Sequence, residues 1–313
     1  MTKYIIKRIL QLIPVLLGVS IAVFLMIYLI PGNAAEVIAG PMATPEEIHN
    51  ISVKLGLDQP PYLQYLKYMS GVIKGDLGFS YQTGQSVVEA ISTRYVNTFS
   101  LALFSAIVAM IIGVGTGIVS AAKRNSIFDR LGMAISTLGI SAPSFWIGLL
   151  LIIIFSVKLK LLPIAVLNGQ MWTKEGFKSL ILPAITLGFS SAAMTSRMTR
   201  SSMLEIIYQD YIQTARAKGV KERLVILKHA LKNALIPIIT IIGLNFGNLL
   251  GGAVVVESVF AINGIGRLMV QAISARDFPM VQGSVLVVAA TFVLVNLIVD
   301  ILYAAIDPRI QYD

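Results

Sequence analysis

The sequence has 313 residues, of which 56% are hydrophobic and 13% are charged, whereas soluble domains carry about 25% charged residues. This balance excludes an ordinary water-soluble fold and predicts an integral membrane protein. Cysteine is absent, which excludes disulfides and zinc–cysteine sites, and two distant histidines, His49 and His229, are too few for a histidine metal cluster. We therefore predict no metal ligands.

Six stretches are apolar enough to cross a bilayer, since a spanning helix needs about 20 apolar residues and satisfies its own backbone. They are Ile9–Ile30, Phe99–Ala122, Met133–Val157, Leu180–Met198, Ala234–Val256 and Val281–Ile306. The predicted fold is all-α, with six transmembrane helices in a single domain over residues 1–313.

An even number of spans places both termini on one side of the membrane. That side carries 15 of the 25 Lys and Arg residues, and the positive-inside rule assigns it to the cytoplasm. The prediction is a multi-pass protein of the cytoplasmic membrane with both termini inside. Because the basic excess faces the cytoplasm, the net charge of +9 does not require a nucleic-acid partner.

Residues 31–98 form an outer loop that is too long for a simple connector. Thr44 is a predicted helix cap, with Pro45 at the first helical position and Glu47 as the reciprocal partner of the cap. Pro60-Pro61 precedes a second amphipathic helix, which Gly75-Asp-Leu-Gly78 ends. We predict a folded outer subdomain that docks an external protein; the alternative is a lid that only covers the ends of the spans.

Residues 199–234 form a cytoplasmic segment between the fourth and fifth spans. Its centre, Tyr211-Ile-Gln-Thr-Ala-Arg-Ala-Lys-Gly219, is basic and helix-prone, with one internal glycine. Such a segment cannot cross a bilayer, so it must lie on the membrane surface. There it can bind a partner protein or rest on anionic lipid.

Small and polar residues mark the interiors of the spans. Gly113 and Gly117 predict close helix packing within the bundle, and polar residues inside a span usually face its interior or a cavity. The doubled glycine pattern of the fifth span predicts helix packing, either internally or with a second membrane subunit, and involves Gly243, Gly247 and Gly251. The polar residues predicted to line a pathway are Asn245 and Asn248. Asp300 in the sixth span is expected to pair with a cation such as Arg197 or Arg200, with a role in substrate passage as the alternative.

No phosphate-binding G-x-x-x-x-G-K-[ST] motif and no Ser/His/Asp or H-E-x-x-H arrangement occurs in the sequence. We predict no catalytic residues and no bound cofactor. If ATP powers this protein, another polypeptide must bind it.

The order and spacing of several motifs resemble the permease subunits of ATP-binding-cassette importers, specifically the dipeptide, oligopeptide and nickel permease family. The resemblance covers nearly the whole chain and is closest to the glutathione and dipeptide branch. Asn263 departs from it, since the family often has proline there. The motifs are Thr214-Ala-Arg-Ala-Lys-Gly219, His229-Ala-Leu-Lys-Asn-Ala-Leu-Ile-Pro237, Pro31-Gly32, Gly75-Asp-Leu-Gly78, Glu257-Ser-Val-Phe260, Gly264-Ile-Gly-Arg267 and Asp307-Pro308-Arg309.

This resemblance implies a permease that forms half of a pathway for short peptides and works by alternating access. Its expected partners are a second homologous permease, two cytoplasmic ATP-binding subunits that bind ATP and Mg, an external substrate-binding protein and the lipid bilayer. A coupling helix would contact one ATPase, while Arg216, Lys218, Lys221 and Arg223 give it a solvated basic face. The ATPase contact would be made by Gln213, Thr214, Ala215, Arg216, Ala217, Lys218 and Gly219.

Three alternatives stay open at this point. The substrate of the same family can be nickel or a metal complex, since the binding protein chiefly selects it. An ion-coupled secondary transporter would need coupling residues and inverted repeats, which the sequence does not show. A structural membrane scaffold without transport is the third.

Overall fold

The structure is a computed structural model that describes residues 2–29, 34–40, 42–164 and 173–306. The described chain is helical apart from a short antiparallel hairpin in which Phe79–Ser80 (β1) pairs with Gln85–Ser86 (β2). The helices are α1 (Thr2–Leu29), α2 (Ala34–Ala39), α3 (Pro45–Leu55), α4 (Pro61–Ile73), α5 (Val87–Ala122), α6 (Ile127–Ser141), α7 (Ser144–Leu151), α8 (Lys174–Ile207), α9 (Asp210–Ala217), α10 (Glu222–Leu224), α11 (Leu231–Val259), α12 (Ile265–Ser274) and α13 (Phe278–Ile306). Wider π-helical turns extend α7 over Ile152–Lys158 and join α10 to α11 over Val225–Ala230.

Five of these helices are long and apolar enough to cross a membrane as single helices, namely α1, α5, α8, α11 and α13. The predicted third span, Met133–Val157, is not one straight helix, because α6 and α7 meet there at 112°; the bent pair counts as a sixth span if it crosses the membrane as one unit. The bend falls at Ala142, whose ψ of 133° is extended. Pro143 explains it, since proline disfavours a helical conformation in the preceding residue.

The centre of the bundle is formed by α5 and α8. A Cβ at Gly113 would lie 2.7 Å from the Ala192 carbonyl oxygen, and one at Gly117 would lie 2.7 Å from the Ser196 carbonyl oxygen. The two backbones therefore approach closely, as predicted for packing inside the bundle. Next to this contact lies a core in which Leu101, Leu180 and Phe260 are almost completely buried.

The predicted helix signals of the outer loop are present. The Thr44 hydroxyl accepts a hydrogen bond from the Glu47 amide, and the Glu47 carboxylate accepts one from the Thr44 amide at 2.7 Å. The carboxylate also accepts a hydrogen bond from the Thr44 hydroxyl at 3.0 Å. The bonds from the Thr44 amide and the Thr44 hydroxyl lower the pKa of Glu47 below its ordinary value, because both favour the charged carboxylate. The second helix begins at Pro61, as predicted. The motifs Pro31-Gly32 and Asp307-Pro308-Arg309 lie outside the described residues.

Candidate functional site

The predicted cytoplasmic segment contains the short helix α9, which follows α8. Since α8 continues to Ile207, the first residues of the 199–234 segment are still helical. Gly219 separates α9 from α10 with a φ of 76°, a left-handed conformation that favours glycine. A Cβ at this position would meet no atom within 4 Å, so backbone conformation and not space requires glycine here.

One side of α9 is anchored in a buried cluster. Ile212 has no exposed surface and packs in a cluster drawn from α8, the π-helical turns and α11. Burial of one isoleucine side chain contributes about 1.5–3 kcal/mol. Ala215, one turn along α9, packs against the same cluster. The cluster consists of Ala121, Met203, Ile207, Ile212, Val225, Ala230, Ala234 and Ile238.

Arg216 and Glu222 form an ion pair across the Gly219 turn. The Arg216 Nη2 and Nε atoms donate hydrogen bonds of 2.7 and 3.1 Å to the two carboxylate oxygens. The hydrogen bond from Arg216 lowers the pKa of Glu222, and the bond to Glu222 raises the pKa of Arg216. Arg216 is half-exposed and so still lies on the predicted basic face, but its charge is paired with Glu222.

The opposite side of α9 is open. Gln213, Thr214, Ala217 and Lys218 are exposed there, and Lys221 and Arg223 flank them. Of the seven residues of the predicted ATPase contact, Ala215 and Arg216 are half-buried and the other five are exposed. The exposed residues lie on one surface that includes the turn, and they are Gln213, Thr214, Ala217, Lys218 and Gly219.

Two contacts join residues 123–130, the start of α6 and the turn before it, to α8 and to Tyr208, which directly follows α8. Arg200 donates hydrogen bonds to both carboxylate oxygens of Asp129, whose side chain is 5% exposed. Arg124 donates to the Tyr208 hydroxyl at 3.1 Å and lies over the Tyr208 ring. Sequence reasoning missed both contacts, because neither pair shares a helix or a repeating spacing.

The predicted partners of Asp300 are also wrong. The Asp300 carboxylate lies 3.1 Å from Nη1 of Arg8 on α1, whereas Arg200 is bound to Asp129. An ion pair was correctly expected, but the cation comes from the first span.

The two predicted pathway residues lie on different faces of α11. Asn248 is exposed and belongs to a stripe with a helical spacing of three and four residues, whereas Asn245 is buried. The Nδ2 atom of Asn245 has no hydrogen-bond partner within the described chain. The exposed stripe consists of Leu244, Asn248, Gly251, Val255 and Ser258.

The three glycines of α11 also divide between these faces. Cβ atoms at Gly243 and Gly247 would overlap the side chains of Val299 and Phe292 on α13. Gly251 has nothing within 4 Å of such an atom and lies in the exposed stripe. The first two glycines thus make close contacts inside this chain, and the third is available to another molecule.

At the outer end of α11, the buried carboxylate of Glu257 holds the turn into α12. It accepts hydrogen bonds from the Thr98 hydroxyl at 2.6 Å and from the Arg267 amide at 2.8 Å. A Cβ at Gly264 would overlap this carboxylate, and one at Gly266 would lie 2.6 Å from the Val254 Cα. Both glycines are therefore required by close approach.

Asn263 has a specific role in the same turn. Its side-chain oxygen accepts a hydrogen bond from the Arg94 Nε at 3.0 Å, and its carbonyl oxygen accepts one from Asn97 at 2.8 Å. Proline at this position would keep the carbonyl contact and lose the contact with Arg94. The departure from the family pattern thus adds a link between α5 and the outer turn.

These observations describe a protein with several helices long and apolar enough to cross a membrane and with a short, partly exposed helix between α8 and α11. Residues 113–312 match the family described as binding-protein-dependent transport system inner membrane component, and residues 1–102 match the N-terminal membrane component of the same systems. The chain belongs to this family.

Two relatives match over their full length. The chain is 46% identical to a dipeptide transport system permease protein of Alkalihalophilus pseudofirmus, with complete coverage of both chains. It is also 46% identical to a glutathione transport system permease protein of Escherichia coli K12, again with complete coverage of both.

Two solved structures share the fold. Both are inward-facing forms of the MetNI methionine ABC transporter, at 18% and 20% identity, with TM-scores of 0.52 and 0.54. Each match covers 67% of this chain and 93% of the other. The inner-membrane family and this fold establish a permease subunit of a membrane transport system.

Proposed function

We propose that the chain forms half of the translocation pathway of an ATP-driven importer for short peptides, such as dipeptides, oligopeptides or glutathione. A second, related permease would complete the pathway. Two cytoplasmic subunits would bind ATP and Mg, and an external protein would deliver the substrate. The names of the full-length relatives support the substrate class. Both termini would lie in the cytoplasm.

The observation that carries this proposal is the construction of α9. Its inner side is fixed by Ile212, which is fully buried, and its outer side presents Gln213, Thr214, Ala217 and Lys218. A helix that is both firmly anchored and exposed can transmit a push from a partner to the bundle. The Arg216–Glu222 ion pair stabilises the turn between α9 and α10.

The path from α9 into the membrane supports alternating access. The buried cluster beneath Ile212 contains residues of both α8 and α11, and α8 is tied to α6 through Arg200 and Asp129. A displacement of α9 by an ATPase would therefore move three of the spans together. The exposed stripe of α11 around Asn248 is the face we assign to the pathway or to the second permease.

The coupling function can be tested with two matched tryptophan variants. Ala217→Trp places a large side chain on the exposed side of α9, and Ala122→Trp places the same side chain at the exposed end of α5. We expect Ala217→Trp to insert normally but to lose ATPase co-purification and ATP-dependent peptide uptake, and Ala122→Trp to keep both. Normal assembly and uptake with Ala217→Trp would contradict the coupling role.

Substrate class needs a separate measurement. The purified external receptor of the same transport system would be titrated with a dipeptide, with glutathione and with Ni²⁺, and proteoliposome uptake would be measured for each. Peptide binding and uptake are expected. Binding of Ni²⁺ alone would replace the peptide importer with a metal importer of the same family.

A further inference from the structure

A cavity of about 340 Å³ lies between the outer loop and the start of α13. Its walls come from α1, α2, α3, α4, the β1 region and the start of α13 with the turn that precedes it, and most of them are apolar. None of the residues that line it belongs to the coupling loop or to the exposed stripe of α11. The principal apolar lining residues are Phe24, Val37, Leu57, Phe79 and Phe278.

The depth of this cavity in the membrane can be measured along α1 and α13. The Arg8–Asp300 ion pair, with side chains 40% and 36% exposed, lies near the predicted cytoplasmic ends of α1 and α13, at the start of the first predicted span and six residues before the end of the sixth. A helix rises about 1.5 Å per residue, which places Phe24 about 24 Å and Phe278 about 33 Å from that pair. The hydrocarbon core is about 30 Å thick. The cavity therefore straddles the outer boundary of the hydrocarbon.

The adjoining helix α4 reaches the same depth. Its Tyr65 hydroxyl forms a hydrogen bond of 2.8 Å with the Ser20 hydroxyl of α1, about 18 Å from the ion pair at the same rise per residue. On its outward face, Tyr62, Leu66 and Ile73 are 64%, 59% and 82% exposed. An apolar helix face at this level is typical of a helix that lies in the membrane interface.

Two cations of the cavity lining are available to a phosphate group. Lys67 and Arg276 line it and form no ion pair within the described chain. The lining also contains two carboxylates, which accept hydrogen bonds from neutral groups of this chain: Asp76 accepts from the Gly78 amide, and Asp277 accepts from Ser80 and the Met280 amide.

Two neutral donors complete the lining. The Tyr68 hydroxyl and the Gln282 Nε2 atom lack hydrogen-bond partners in the described residues. Burial raises the pKa of Tyr68 to about 12, so the hydroxyl keeps its proton. The ester oxygens of a phospholipid could accept hydrogen bonds from such groups.

We propose that this cavity binds one phospholipid of the outer leaflet, with an acyl chain between Phe24 and Phe278 and its phosphate beside Lys67 and Arg276. An external protein is a poorer occupant, because the walls formed by α1 and α4 lie at or below the hydrocarbon boundary. The assignment rests on the proposed orientation, with residues 31–98 outside. It does not depend on which substrate is carried.

The test counts lipids bound to the transporter complex purified in mild detergent, by native mass spectrometry after addition of phosphatidylglycerol or phosphatidylethanolamine. Leu57→Trp fills the cavity, and Leu66→Trp adds the same side chain on the exposed face of α4, outside the lining. We expect wild type and Leu66→Trp to retain one phospholipid per chain and Leu57→Trp to lose at least about tenfold in occupancy, equivalent to about 1.4 kcal/mol. Equal retention in all three proteins, or in none, would overturn the proposal.

A second pair of variants tests whether the two cations of the lining bind the lipid headgroup, independently of any effect on folding. Lys67→Gln with Arg276→Gln removes both cations of the lining, whereas Lys54→Gln removes an exposed lysine of α3 outside it. Only the double variant should lose phosphatidylglycerol, and inorganic phosphate alone should not bind to any of the proteins. Displacement of the lipid by a short apolar peptide would instead identify a peptide site. Uptake is not the readout, so failure of the coupling proposal would leave this result interpretable.

Discussion

Arg200 donates two hydrogen bonds, of 2.6 and 2.8 Å, to the carboxylate of Asp129, which lies 71 positions earlier in the chain. The same carboxylate accepts from the Asn125 amide, so one buried acid orders the 123–130 loop and attaches it to α8. This contact lies beside the connection to α9. It joins the bent third span to the helix that leads into the coupling segment.

The Asp129–Arg200 pair should be a major determinant of stability. Asp129→Asn leaves Arg200 with a weaker acceptor, and hydrogen bonds to charged groups contribute about 1.5–3 kcal/mol. We expect a lower melting temperature in detergent, and a double-mutant cycle with Arg200→Gln should show strong coupling. Arg197→Gln, an exposed arginine one turn earlier, serves as control; equal effects of the two arginine substitutions would contradict this assignment.

The contact between α11 and α13 predicts opposite outcomes for two glycines of one helix. Gly247→Ala would overlap the Phe292 ring, whereas Gly251→Ala meets open space. Overpacking costs about 1–3 kcal/mol, so Gly247→Ala should lower the thermal stability of the purified protein and Gly251→Ala should not. Adding Phe292→Ala should restore much of the loss from Gly247→Ala. Lack of any rescue would show that α11 and α13 do not touch there.

The Glu257 carboxylate should keep the turn between α11 and α12 ordered. Glu257→Ala removes the acceptor of the Arg267 amide and the Thr98 hydroxyl, and a buried unsatisfied donor costs about 1–3 kcal/mol. Hydrogen–deuterium exchange at residues 265–267 should become faster while exchange in α8 stays unchanged. Glu89→Ala, at an exposed acid of α5, is the control. Unchanged exchange in the turn would refute the role of this carboxylate.

Acid should loosen the turn between α9 and α10. Glu222 has a folded-state pKa below its ordinary value of 4.5, so the ion pair stabilises the turn above that value and is lost as the pH falls through the lower folded value. The chain has no cysteine, so nitroxide labels at Thr214→Cys and Arg223→Cys can report the distance across the turn. The distance distribution should stay narrow at neutral pH and broaden only as the pH falls below 4.5, through the lowered folded-state pKa. In the Glu222→Gln variant, the distance distribution should already be broad at neutral pH. The same pH dependence of the distance distribution in both proteins would contradict a stabilising role of the ion pair.

Local signals in the sequence correctly identified many elements. The cap at Thr44 and the start of α4 at Pro61 depend on residues within one turn of each other. The apolar stretches of α1, α5, α8, α11 and α13 are equally local, because length and composition alone decide whether a helix can cross a bilayer. The bend at Pro143 was also visible as a proline inside the third stretch, and its effect was missed.

Pairings between residues that are far apart in the chain were much harder to predict from the sequence. The partner of Asp300 was sought on the fourth span and lies on the first, at Arg8. Arg216 was expected on a solvated basic face; it is half-exposed, and it is also paired with Glu222. In both cases several cations or carboxylates could have supplied the partner.

The sequence by itself determined the membrane class, most of the spans, the basic segment with its single glycine and the resemblance to importer permeases, because each depends on composition or on short ordered motifs. Only the tertiary structure decided which face of α9 is free, which glycines of α11 contact α13 and how the outer loop encloses a cavity. These properties depend on the relative rotation and depth of helices that are far apart in the chain. A repeating pattern defines the faces of one helix, and packing alone decides what each face meets.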